Sequence, residues 1–581
     1  MTETTPHVRQ DPAPTSPASA VRRAPRSGLR GYRRALVVLT LAVAAWGAVW
    51  AVVTPPFQAP DEQNHLNSAL RIAHGGGWPA PGDAYFSPGV VEAVEEAAYH
   101  SDPPGRWTYR PDARQFVDVE PVPRDERAHI DAATALGDAS SGTDVDQMTQ
   151  HPPLYYALAA GVLRVSGLDD DRWDVQMLAL RLFDVLLLAL TVPLAAETAR
   201  RITRSTSAGL IAAVFPLFLP QLGHIMGAVN NDALVMLACA GATYLAARVV
   251  TGDLRWRVAV AIGLVLGLGL LTKVMVAFAV PTVVVAYLLA RGRSWPARLG
   301  RVVVAGVVAG VVGGWWWVRN VITLGAVQPV GILREPETYA QVPDSEVVST
   351  IVEKLAQAFF GNLGWLEVRL PGAWVVAGTM VLMAAGLAAL ALPGARRASA
   401  ALLLLPAGLA FGVAYNAWDF HQFSGGIVAV QGRYVFGGVT ALAAVFAVAV
   451  WQLVGRHRRR TAWAVPLVVV LTLAAGVGGL AWAFASFYRG PGESVGDAVD
   501  RWLAWSPVEA PALIAVLVLA VTAWVSALVV GALWPRRLAA PASLDATAGT
   551  APPAAVVPSA SPVPTVPTVP SEAPRPVKDA R

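Results

Sequence analysis

The chain has 581 residues, 55% of them hydrophobic and 15% charged, with a mean hydropathy of +0.48 and a formal net charge of +5. That is more apolar surface than a water-soluble core can hide, so the solvent for most of the chain must be lipid. The positive balance is almost wholly arginine, since Lys273, Lys354 and Lys578 are the lysines, and the arginines lie in short scattered clusters, which argues against nucleic-acid binding.

Residues 1–30 are too rich in Pro, Ala, Ser and Thr to bury much apolar area, and are expected to form a disordered cytoplasmic tail. The first apolar stretch begins after Arg34 and runs for about 20 residues, long enough to span a bilayer, so it reads as an uncleaved first helix rather than a signal peptide. Further apolar runs near 178–199, 207–226, 230–250, 302–318, 372–392, 399–418, 434–454, 463–485 and 511–534 are predicted spans. The run 256–290 is too long for one crossing and is predicted to be two short helices meeting around Leu271, Thr272 and Lys273. The total is about twelve transmembrane helices within 31–538, followed by a second disordered Pro/Ala-rich cytoplasmic tail at 539–581.

The segment His151–Gly167 is moderately apolar, and the positive-inside rule decides its placement. If it lies in the outer interface, anchored by Tyr155 and Tyr156, every arginine cluster from Arg22–Arg34 to Arg536/Arg537 falls on one side. Both termini are then cytoplasmic in a multipass protein of the cytoplasmic membrane. A large outer loop at 55–150 precedes the interfacial helix 151–167, and a second outer loop covers 319–371. Cys239 is the single cysteine, so no intramolecular disulfide or cysteine-based zinc site can form.

The chemistry collects on the outer side. In TPPFQAPDEQNHLNSALRIAHGGG, Pro60 and Asp61 read as a helix start and Gly75 as its end, with Leu66, Ala69, Leu70 and Ala73 forming an apolar stripe. Asp61 and His65 share another face with Glu62 close by: either an acid pair beside an imidazole, or a helix cap on an exposed acidic turn. Lys273 sits between LGLGLL and VMVAFAV, where an ammonium costs about 2.5–3.5 kcal/mol at a helix centre. It reads as a phosphate contact or as a snorkelling lysine. Arg433, at the mouth of a span, and Arg319, after three tryptophans, read either as phosphate contacts or as interfacial anchors.

His151, Tyr155, Asn231, Asp232 and Trp365 fall on the same side and are further substrate-binding candidates. Arg181 and Asp184, three apart, are expected to form an ion pair. No metal-ligand spacing appears, so no metal residues are assigned and a divalent-metal requirement is left open. There is no P-loop, dinucleotide fingerprint or GxSxG elbow, which removes ATP-driven pumps and ordinary serine hydrolases.

Together PDEQNH, HPPLYY, NND, LLTK, FFGNLGW and QGRY resemble a family of bacterial multipass membrane proteins that looks like part of the GT-C superfamily of glycosyltransferases, as do protein mannosyltransferases and aminoarabinose transferases. The resemblance covers roughly 35–535 and implies an all-α GT-C-like membrane fold with juxtamembrane amphipathic helices in its first outer loop. It also implies a polyprenyl-phosphate-linked sugar donor, a glycan or lipid acceptor, and an acid in the first outer loop, carried over to Asp61 with Glu62 beside it. Many GT-C members have a soluble outer domain after the last span, whereas this chain ends in a tail. The rival expectation is a lipid-linked sugar flippase or secondary transporter, which calls for inverted repeats and broken charged helices near the midplane.

Overall fold

The computed structural model describes residues 26–98, 106–109, 114–117, 120–137, 145–331 and 340–539. Of the two expected tails, 1–25 and 540–581 lie outside the described residues, while Arg26 already belongs to the first helix. The elements in chain order begin with α1 (Arg26–Val53), α2 (Glu62–Ala73), α3 (Pro88–Glu96), a hairpin of β1 (Arg106–Tyr109) and β2 (Arg114–Val117), α4 (Ala132–Ala135) and α5 (Leu154–Ser166). Next come α6 (Trp173–Thr203), α7 (Thr206–Ala213), α8 (Pro220–Met226), α9 (Asp232–Val250), α10 (Trp256–Leu270), α11 (Ala279–Leu289), α12 (Trp295–Ala309) and α13 (Trp315–Leu324). The remainder is α14 (Val347–Phe360), a short hairpin of β3 (Asn362–Leu363) and β4 (Val368–Arg369), then α15 (Gly372–Ala391), α16 (Arg396–Ser424), α17 (Val439–Leu453), α18 (Arg458–Tyr488), α19 (Val495–Trp505) and α20 (Ala510–Ala539).

Among the described residues nine helices are long and apolar enough to cross a membrane, and shorter apolar helices occur at Leu154–Ser166, Trp256–Leu270 and Val274–Leu289. The protein is an all-α multipass membrane protein. The long run 256–290 divides as expected, with α10 ending at Leu270 and a 3-10 turn, Val274–Phe278, leading into α11. The segment 207–226 does not form the single span expected. Pro216 and Pro220 lack the N–H an α-helix needs, so it breaks into α7, a 3-10 turn at Phe215–Phe218, and α8. A π turn, Gly310–Gly314, joins α12 to α13 in one pass, and α16 runs unbroken to Ser424.

Indole N–H groups tie α1 to its neighbours. Trp46 Nε1 donates to Gly476 O (3.1 Å), Trp502 Nε1 to Val52 O (2.7 Å) and Trp524 Nε1 to Ala42 O (3.2 Å). In an apolar medium a buried N–H without an acceptor is costly, so these bonds also fix how the helices pack. A second apolar cluster, including Phe57, Leu66, Leu70, Val90, Ile130, Leu163 and Trp173, packs α2, α3 and α5 onto the start of α6, so much of the first loop is a folded cap.

The two ends of the bundle differ chemically. At one end Asp253 accepts from Arg248 (2.7 Å) and Arg255 (2.6 Å) and lies 3.9 Å from Arg201, while Arg301 donates to Leu254 O (2.5 Å). These contacts bring together three of the arginine-rich connections. At the other end the segments around Asp61, Asp232, Lys273 and Arg433 meet, pairing two acids with two cations.

Candidate functional site

Four segments bring one charged side chain each to the same place. After the prolines of TPPFQAP the chain turns into α2 through Asp61, whose backbone is left-handed (φ +67°), a conformation asparagine and aspartate tolerate better than most residues. Asp232 opens α9, and the Asn230 side chain accepts its N–H (2.8 Å), so the NND motif is a helix start with its carboxylate at the favourable end of the dipole.

Lys273 occupies an extended residue between α10 and the 3-10 turn. The preceding carbonyls are held from outside: Trp317 Nε1 donates to Leu270 O (3.1 Å) and Leu154 N to Leu271 O (3.2 Å). Arg433 lies in the 3-10 segment Gly432–Gly438 that leads into α17. A Cβ on Gly432 would run into the carbonyl of Ala358 in α14, so only glycine lets the QGRY segment approach so closely. We expect Gly432→Ala to destabilise the protein by about 1–3 kcal/mol through overpacking, read as a lowered thermal unfolding temperature of the purified protein.

The charges form a chain of pairs. Arg433 makes an ion pair with the Asp61 carboxylate, donates to Pro60 O (3.0 Å), and places Nε 3.9 Å from Asp232 Oδ2. Asp232 Oδ1 accepts from Lys273 Nζ at 2.7 Å, and that ammonium also reaches Asn231 Oδ1 at 3.4 Å. Both cations lie 5.2 Å from the centre of the Tyr434 ring, on the attractive face of its π system. Asn231 Nδ2 in turn donates to the Tyr156 hydroxyl (3.2 Å), which shares a 2.9 Å hydrogen bond with His65 Nδ1. Burial, then Arg433 and Lys273, hold the His65 imidazole well below its ordinary pKa, so it stands neutral beside the cluster. His151 is pushed down in the same way by burial and then by Lys273.

The structure thus gathers Asp61, Asp232, Lys273, Arg433 and Asn231, with His65 joined to them through Tyr156 and His151 within electrostatic reach. Trp365 borders the same region from the second loop, where its indole N–H donates to Phe57 O (2.9 Å) beside a Gln58–Glu367 hydrogen bond.

Other expectations are corrected by the packing. Glu62 does not sit beside Asp61 in the site. It accepts from Arg181 Nε and Nη2 (2.7 Å each) and from the backbone N–H groups of Phe57 and Val229 (3.0 Å each). Arg181 therefore does not pair with Asp184, which instead accepts from the Tyr155 hydroxyl (3.0 and 2.9 Å) and from Asn230 N (2.7 Å). Tyr155 and Tyr156 are not surface anchors: both are fully buried, and their hydroxyls pin α5 to α6 and α2. Arg319 is exposed, with its guanidinium 5.1 Å from the Trp316 ring centre and 3.5 Å from Asn320 Oδ1. Sequence reasoning missed Tyr156 as a polar member of the site, and also Tyr434, although it follows Arg433 directly in QGRY.

The family described as predicted membrane protein (DUF2142) matches residues 45–442. The chain belongs to that family. All four charged residues, Asp61, Asp232, Lys273 and Arg433, fall inside the part shared with DUF2142. No curated protein matches the chain.

Among solved structures the DUF2142 chain is similar to ArnT from Cupriavidus metallidurans in its apo state, at TM-score 0.44 and 15% identity, covering 86% of this chain and 77% of that one. The same protein bound to undecaprenyl phosphate gives 0.43 and 16%, covering 87% and 78%. The arabinosyltransferase EmbB from Mycobacterium smegmatis gives 0.39 and 14%, covering 90% of this chain and 43% of that one.

Proposed function

We propose that this protein is a GT-C-type membrane glycosyltransferase that moves a sugar from a polyprenyl-phosphate donor to a glycan or lipid acceptor of the envelope, on the outer face of the cytoplasmic membrane. The observation that carries the reading is the convergence, at one end of the bundle, of an accessible acid, Asp61, with two buried cations, Arg433 and Lys273. The arginine-rich connections meet at the opposite end, which supports placing the acid end outward and both termini in the cytoplasm.

Transfer from a lipid phosphate needs a base and a sink for charge. In this reading Asp61 takes the proton of the acceptor hydroxyl as its oxygen bonds to the anomeric carbon, and the bond from that carbon to the phosphate oxygen breaks. The electron pair leaves with the polyprenyl phosphate, whose growing charge Arg433 and Lys273 stabilise in a low-dielectric setting. Direct displacement inverts the anomeric centre. Neutral His65, held by Tyr156, and Trp365 at the seam of the two loops would border the acceptor.

A transporter reading calls for charges at the midplane, whereas here they cluster at one end of the bundle. The test is chemical. Lipids extracted from the purified protein are expected to include a polyprenyl phosphate by mass spectrometry. Extraction without any phosphorylated isoprenoid, together with no sugar moved from a polyprenyl-phosphate sugar in reconstituted vesicles, defeats the reading.

A further inference from the structure

We propose that the Asp61–Arg433 ion pair is an internal lock, in which the carboxylate holds the place of the donor's phosphate until that phosphate displaces it and frees Asp61 to act as base. The inference rests on the glycosyl-transfer reading above and concerns how the site is kept closed before donor arrives.

The first ground is charge balance. Asp61 and Asp232 oppose Arg433 and Lys273, so the four groups sum to zero, and the neighbouring His65 and His151 add nothing while burial keeps them neutral. An anion entering a neutral, largely buried cluster gains no net attraction unless one of the acids gives way. The second ground is which acid can move. The Asp61 side chain is 21% exposed, against 6% for Asp232, 4% for Arg433 and 11% for Lys273. Asp232 is fixed by Lys273 at 2.7 Å, whereas Asp61 has a path to water.

The third ground is that the guanidinium stays in place without its carboxylate. Pro60 O accepts from Arg433 Nη1 at 3.0 Å, and the Tyr434 ring lies against the cation. Arg433 Nε is buried with no hydrogen-bond acceptor among the described residues, an unused donor beside the one that Asp61 occupies. A phosphate taking Asp61's place could therefore bind the fork through two donors rather than one, a gain the single carboxylate contact does not offer.

The test uses the full-length protein in lipid nanodiscs with undecaprenyl phosphate as probe. If the pair is open about a tenth of the time, removing the competing charge raises apparent affinity about tenfold. Asp61→Asn, which tolerates the left-handed backbone, and Asp61→Gly, which relieves it, are both expected to bind the probe about tenfold more tightly than the natural protein. Equal or weaker binding by both variants, with the natural protein still binding, overturns the lock and leaves the donor reading standing. Failure of the natural protein and of both variants to bind the probe strikes the donor reading itself.

Discussion

Asp61→Asn is expected to reduce sugar transfer about 10²–10⁴-fold, the usual contribution of a positioned base. The amide keeps the size of the carboxylate and its tolerance for the left-handed turn, so the entry into α2 is preserved and the loss falls on chemistry. Arg433 keeps its bond to Pro60 O and its neighbour Asp232, so the cluster does not collapse when the acid is neutralised. The measurement is the initial rate of transfer from a polyprenyl-phosphate sugar in reconstituted vesicles, beside the thermal unfolding temperature of the same preparation. The expected signature is a lower kcat with a smaller drop in unfolding temperature than Glu62→Gln gives, because the Asp61–Arg433 pair is partly open to water and Asp232 stays beside the guanidinium. Transfer at the natural rate removes Asp61 from the mechanism.

Glu62→Gln, one position away, is expected to act in the opposite manner. The Glu62 carboxylate is fully buried and takes both arms of Arg181, whose remaining donors go to Ala51 O (2.9 Å), Thr54 O (2.6 Å) and Pro55 O (3.1 Å). Neutralising it leaves a buried guanidinium without its counter-charge, which costs about 3–5 kcal/mol. The lesion should appear as a large drop in unfolding temperature and in the amount of folded protein recovered. Replacing both partners by methionine removes the stranded charge, but Phe57 N and Val229 N then lose their acceptor, so recovery is expected to be partial. An unfolding temperature within a degree or two of the natural protein's would show that this pair does not hold the first loop to α6.

The contrast between Asp61 and Glu62 shows what a sequence can and cannot say about such a site. Lys273 drew notice because a charge amid apolar residues is expensive and must have company, and Arg433 because it stands at the mouth of a span; the structure brings the two to one cluster. Asp61 was legible from its place after the first span. The role of Glu62 was not, because adjacent residues at a helix start point in different directions and its partner lies 119 positions away. Tyr155 and Tyr156 looked like interfacial anchors because tyrosine favours both membrane surfaces and buried hydrogen-bonded sites. Their burial depends on α2 and α6 closing over α5, a tertiary fact with no local signature. The passes themselves followed from hydropathy, and the exception at 207–226 had its cause in plain view in Pro216 and Pro220.

The pairing of Asp61 with Arg433 joins residues 372 positions apart. At about 5–20 residues per second of synthesis, the acid waits roughly 20–75 s after leaving the ribosome before its cation is made. During that interval the part of the chain already made must rest in the bilayer with an unmatched carboxylate at its edge. A chain interrupted before residue 433 would leave that carboxylate without its guanidinium permanently.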